Sequence, residues 1–388
     1  MNTIFDENPY GDDKVFDACG LFGIMDVSGE RFSGRDVVKG ITLMNERGNG
    51  LGSGYAVYGC YPDYADCYAF HVMYTNPEAR ADVELLLKRD FILVHDEEVP
   101  HFPIPGLYNA PLIRRYFLHI NEQAADRHLY DEAEFVIAKV MAINVAGLGA
   151  YIYSSGKDMA AFKGVGLPDQ IAAYFGVENY AGYLWTAHNR FPTNTPGWWG
   201  GAHPFGILDW TVVHNGEISS YGANKRFLEM HGYHCTMTTD TEAMAYAADF
   251  LMRRHKLPVE VAVKVMAAPL WEEIARMPDN EQALYRALRQ VYAKLLFTGP
   301  FTVIIARQGE MIGLADRLRL RPLAAATAGE RLYVSSEESA IRLVNPDLDR
   351  VWTPVGGEPV IGRLGVSLNP PNSAIKVRKA VAAVEALA

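Results

Sequence analysis

The chain has 388 residues, 49% of them hydrophobic and 21% charged, which suits a globular protein with one large core or two ordinary ones. Its formal charge is −10, from 36 Lys plus Arg against 46 Asp plus Glu, so a basic surface for nucleic acid or an anionic membrane is not expected. Four cysteines (Cys19, Cys60, Cys67 and Cys235), without CxxC spacing, exclude a disulfide scaffold and point to a reducing cytoplasm.

Residues 1–18 hold five acidic side chains against Lys14 alone and have no apolar stretch, so they do not read as a signal peptide. The run from Cys19 to Asp26, closed by Ser28-Gly29, predicts a strand. A helix is expected over 35–45, followed by a glycine-rich loop from Glu46 to Gly54. Residues 80–145 read as acidic helices and Pro-marked loops. The apolar segment Val140 to Gly156 is interrupted by Asn144, Gly147 and Gly149, and reads as a buried strand with its turn rather than a membrane span. A hairpin from Ala150 leads into a strand at Met159–Lys163, and further strands are expected at 183–191, 210–214, 301–306, 311–315 and 331–335. Helices are expected over about 241–255 and 281–296. Hairpin strands with helices in separate runs indicate an α+β layered domain.

Four short segments hold candidate chemistry: Cys19-Gly, His188-Asn-Arg-Phe-Pro-Thr193, His214-Asn-Gly-Glu217 and Thr239-Asp-Thr-Glu242. Singly, each has an ordinary structural reading. A buried cysteine is commonly inert. Asn215-Gly216 is a hairpin-turn signal, and Thr239 with Glu242 forms a helix capping box. In this order, however, they resemble the class II glutamine amidotransferases. The block Arg190-Phe-Pro-Thr-Asn-Thr-Pro-Gly-Trp-Trp, with Ala202-His-Pro-Phe and His214-Asn-Gly-Glu-Ile, is most similar to the amidotransferase part of glutamate synthase. Lys163-Gly-Val-Gly, Gly299-Pro-Phe, Ala315 to Leu323 and Ser335-Ser-Glu337 extend the resemblance over most of residues 19–340.

The resemblance implies a four-layer αββα sandwich of the N-terminal-nucleophile type, with residues 19–375 as one amidotransferase domain. Cys19 would be the nucleophile, its own α-amine the base, and residues 1–18 a propeptide removed to free that amine. Asn215 and the Gly216 N–H would form the oxyanion hole. Arg190 would grip the glutamine α-carboxylate and Asp240 its α-ammonium, with Thr193, Arg47 and Gly48 as supporting contacts. The product would be ammonia for a second active site. A chain of this length has no room for a flavin-binding synthase barrel or iron–sulfur cysteines. It is therefore expected to hold no cofactor and to work beside a flavin-containing glutamate synthase subunit and an electron-donor subunit.

Rival readings are an amidotransferase for another acceptor, such as an N-methylglutamate-forming complex, and a glutamine sensor without hydrolysis. The complete set Cys19, Arg190, Asn215, Gly216 and Asp240 argues against the sensor. His231-x-x-His-Cys235 lacks a second ligand pair, so no metal site is expected there. Residues 376–388 read as a short amphipathic tail.

Overall fold

The computed structural model describes residues 18–125, 131–192 and 197–368. Its centre is the strand Gly20–Asp26, every residue of which is buried. Side chains alternate across a strand, and here both faces are covered. Leu21 and Met25 join one apolar cluster with Val213, Ile304, Ala306 and Met311, while Phe22 and Ile24 join another with Val37 and Ile41.

That strand lies in the middle of a seven-stranded antiparallel sheet. The spatial order is Arg350–Trp352, Ala324–Ala328, Arg331–Ser335, Gly20–Asp26, Leu184–Asn189, Ser53–Tyr58 and Met159–Gly164. A second sheet, also antiparallel, runs Phe205–Ile207, Trp210–Gly216, Phe301–Arg307, Glu310–Ala315 and Val360–Arg363. The two pack face to face. Gly23 permits the close approach, since a Cβ there would stand 3.0 Å from both Ile304 Cδ1 and Met311 Sδ. The helix Arg35–Thr42 covers the outer face of the first sheet, with Gly40 seated on the Phe22 ring. The helix Asp240–Ala248 covers the outer face of the second. The expected four layers are thus present.

Outside them stands a third antiparallel sheet: Phe91–Glu98, Leu112–Ile120, Tyr68–Tyr74 and Ala150–Ser154. Here the sequence reading needs correction. Within 80–145, helices do occupy Arg80–Asp90 and Glu132–Val145, but two strands lie between them. The charges that suggested helix pair across these strands instead, Glu97 accepting Arg115 Nη2 at 2.6 Å in direct register. Residues 140–145 are helical rather than extended, because a short buried apolar run has no period to distinguish the two. The segment after Ala150 is not a hairpin either. Ala150–Ser154 pairs with Tyr68–Tyr74, whereas Met159–Gly164 pairs with Ser53–Tyr58, so the chain crosses between sheets. The helix expected to reach 255 is α-helical to Ala248 and continues as a π-helical turn, Asp249–Arg254. No helix among the described residues is long and apolar enough to cross a membrane.

Candidate active site

Cys19 immediately precedes the central strand, half-buried, with its thiol against the chain that leaves Leu184–Asn189. The Phe191 N–H donates to Cys19 Sγ at 3.2 Å. Burial raises the thiol pKa, while the Phe191 N–H, Arg190 and Arg321 act the other way. The Cys19 carbonyl accepts Arg47 Nε at 3.0 Å, and Arg47 Nη1 is anchored on Glu337 at 2.9 Å. Arg47 therefore fixes the backbone of the cysteine. Gly48 lies beside it and is packed against Asn189, whose Oδ1 a Cβ at position 48 would meet at 2.0 Å.

Arg190 is buried at the end of the neighbouring strand, between two glycines. A Cβ on Gly52 would stand 3.1 Å from its Cδ, and one on Gly201 3.3 Å from its Nη1. Burial lowers the guanidinium pKa, and Cys19, Asp240 and Glu217 oppose that shift through their charge. Cys19, Arg190 and Asp240 are thus within electrostatic reach of one another. Thr193 lies outside the described residues.

The strand Trp210–Gly216 supplies two faces. Asn215 shares the inter-sheet face with Val213 and is fully buried. Its Nδ2 lies 3.5 Å from Ser336 Oγ, which accepts the Leu21 N–H at 3.2 Å. Ser336 therefore ties Asn215 to the strand that begins one residue after Cys19. Gly216, at φ 140, could not carry a side chain: a Cβ would lie 2.0 Å from the Pro300 carbonyl oxygen.

His214 faces the opposite way, toward the helix whose first residue is Asp240. Thr239 caps that helix through Oγ1 on the Glu242 N–H at 3.3 Å, but the Glu242 carboxylate accepts the Thr236 and Met237 N–H groups, so only the N-cap half of the expected capping box forms. Asp240 Oδ2 accepts the Ile218 N–H at 3.0 Å, and its Oδ1 lies 3.5 Å from His214 Nδ1. Thr241 Oγ1 donates to Asp240 Oδ1 at 3.2 Å and lies 2.9 Å from His203 Nε2 and 3.1 Å from His214 Nδ1. Burial raises the Asp240 pKa, but His214 and these donors outweigh it, so the carboxylate is held below its ordinary range. A fixed anion results, backed by His214 directly and by His203 through Thr241. His188 completes the group by stacking on His203 at 3.8 Å and donating Nε2 to the His214 carbonyl at 2.7 Å. Burial keeps His188 neutral, with a pKa lowered to about 3.

Sequence reasoning gave no role to Ser336, Glu337, His203 or Lys163, although all four lie in segments it singled out. Lys163 is fully buried, and its ammonium donates to the carbonyls of Gly200 at 2.9 Å and Pro204 at 3.2 Å. It holds the segment that walls Arg190. Burial lowers its pKa to about 7. Lys163→Met keeps the volume but leaves two buried carbonyls without their donor, so a loss of about 1–3 kcal/mol of stability is expected. Urea denaturation would show it as a lower midpoint at constant slope, and an unchanged midpoint would contradict the role.

The family model of class II glutamine amidotransferases matches residues 98–351, a span that excludes Cys19. An uncharacterised protein of Archaeoglobus fulgidus is 56% identical over 91% of this chain and 94% of its own length. The glutamate synthase [NADPH] large chain of Bacillus subtilis is 25% identical over 60% of this chain, which spans only 16% of that protein. Glutamine amidotransferase-like protein GlxB of Rhizobium meliloti is 29% identical over 52% of this chain and 59% of its own length. Among solved structures, glutamine phosphoribosylpyrophosphate amidotransferase from Bacillus subtilis aligns over 89% of this chain and 47% of its own at 16% identity, with a TM-score of 0.44.

Proposed function

The chain belongs to the class II glutamine amidotransferases, and on that premise we propose that Cys19, freed as the mature N-terminus, hydrolyses the side-chain amide of L-glutamine for a partner synthase. The observation that carries this reading is that Cys19, Arg190 and Asp240 lie within electrostatic reach of one another while Ser336 links Asn215 to the strand that follows Cys19. A buried cation and a fixed carboxylate suit the two charged ends of an amino acid. Glutamine held between them would present its side-chain amide to Cys19 Sγ.

Because burial raises the thiol pKa, the sulfur needs a base to become nucleophilic. The α-amine of Cys19, with an ordinary pKa of about 7.7–8.0, can take that proton only once the Ala18–Cys19 bond is cut. Ala18 supports such a cut, being held at φ 76, a conformation that costs a non-glycine residue about 1–3 kcal/mol and that cleavage would release. Sulfur attack on the amide carbon would then produce a tetrahedral oxyanion facing the Asn215 side-chain amide and the Gly216 N–H. Collapse expels ammonia, and water opens the thioester to glutamate. Four free cysteines accord with a reducing cytoplasm.

For the acceptor we favour a glutamate synthase arrangement, with flavin and iron–sulfur chemistry in separate subunits and 2-oxoglutarate as the ammonia acceptor. The support is the block Arg190 to Trp199 and the similarity to part of a glutamate synthase large chain. The test is purification with and without co-purifying partners, followed by assay of glutamate formed from glutamine, 2-oxoglutarate and a reductant. Partners should raise synthesis, and Cys19→Ala should abolish it with glutamine but spare it with ammonium. Partner-stimulated glutaminase activity without 2-oxoglutarate consumption would contradict the acceptor. An isolated chain that gains nothing from partners would contradict the subunit reading.

A further inference from the structure

The third sheet holds a cluster that amide hydrolysis does not use. Its register sets Tyr68 opposite Leu118, which brings the next residues outward, Cys67 and His119, side by side across the strands. Cys67 Sγ lies 3.6 Å from His119 Nε2 and 3.8 Å from Asp66 Oδ1, and His119 Nε2 lies 3.8 Å from Asp66 Oδ2. One thiol, one imidazole and one carboxylate thus converge, with a donor atom of each within 4.8 Å of the others.

The spacing matches a tetrahedral ion. Bonds of about 2.3 Å to sulfur and about 2.0–2.2 Å to nitrogen and oxygen require ligand atoms about 3.3–3.6 Å apart; the thiol and imidazole already stand at that spacing, and turning the exposed Asp66 carboxylate to bring one oxygen inward would complete the set. The burial is also suitable. Cys67 is only 2% exposed and forms the floor, whereas the His119 and Asp66 side chains, 44% and 81% exposed, leave the outer side open to water. Among the described residues, the Lys157 ammonium acts on Cys67 and is paired with Glu132 Oε1 at 2.7 Å, and that carboxylate also accepts the Tyr68 hydroxyl. The site is held from behind as well, the Cys67 N–H donating to the Tyr64 carbonyl at 3.0 Å.

We propose that Asp66, Cys67 and His119 bind a divalent transition metal of the zinc class, with water in the fourth position. The mixed sulfur, nitrogen and oxygen donor set favours zinc or cobalt over magnesium or calcium. Metal binding would join the turn before Tyr68 to the strand Leu112–Ile120, a structural link on a sheet separate from the two that hold Cys19.

The probe is Co²⁺ alone, titrated into untagged protein in a Cys19→Ala background so that the catalytic thiol cannot compete. One equivalent should develop an intense near-ultraviolet thiolate-to-cobalt band with tetrahedral d–d bands, and Zn²⁺ should displace both. Adding Cys67→Ser or His119→Ala should weaken binding by about two orders of magnitude. His119→Ala serves alone if Cys67→Ser fails to fold, because His119 is half-exposed. Introduced into protein retaining Cys19, His119→Ala should leave glutamine hydrolysis within about twofold, which separates loss of metal from loss of fold. Absence of the cobalt bands, or their persistence in His119→Ala, would overturn the site.

Discussion

Replacing Cys19 with alanine is expected to reduce glutamine hydrolysis by at least about three orders of magnitude without unfolding the protein. Cys19 is half-buried outside the strand core, and its thiol meets the Phe191 backbone, accepting its N–H at 3.2 Å and donating to its carbonyl at 3.9 Å. Truncation therefore removes little packing. Cys19 would contribute both the sulfur nucleophile and the α-amine that activates it, and the loss is large because alanine keeps the amine but leaves no sulfur to attack the amide. The same dual role fixes the sign of the pH dependence in unmutated protein. The amine acts as a base only when neutral, so kcat/KM should rise through about pH 7.7–8.0 and fall on the acid side. Activity of Cys19→Ala within tenfold of the unmutated enzyme would remove the nucleophile assignment.

Asn215→Ala should cost about 2.7–4 kcal/mol of barrier, or about 10²–10³ in kcat, with a much smaller change in KM. The asymmetry follows from position. Asn215 projects between the sheets near Cys19, where charge would develop on the amide oxygen, whereas Arg190 and Asp240 would hold the unreacting end of the substrate. Oxyanion donors act on the transition state, and clamp residues act on binding. Steady-state kinetics and a thermal melt distinguish the outcomes. A variant with unchanged kcat and a raised KM would place Asn215 in substrate binding instead.

Several of the candidate residues could be placed on their elements from the sequence because they sit at element ends with local signatures. Thr239 and Glu242 announced a helix start, and that start orients Asp240. The short apolar run from Cys19 to Asp26, closed by Ser28-Gly29, announced the central strand. The assembly behind those residues could not be read locally, since it is made by contacts between distant segments. Ser336 reaches Asn215 across 121 positions and Leu21 across 315. Arg47 meets Glu337 across 290. Lys163 looked like part of a short glycine motif until the fold placed its ammonium on two carbonyls about forty residues later. The third sheet escaped for a related reason. Its strands Phe91–Glu98 and Leu112–Ile120 carry charges whose partners lie on the opposing strand, and a window along one strand sees polarity without alternation.

The proposed attacking atom is the sulfur of a mature N-terminal Cys19. The most direct test of that assignment is peptide mass mapping after incubation with a glutamine analogue bearing an electrophilic diazoketone in place of the side-chain amide. A single adduct is expected, on a peptide whose first residue is Cys19, and excess glutamine should suppress it. An adduct on any other residue, or on active protein still joined through Ala18, would contradict the account.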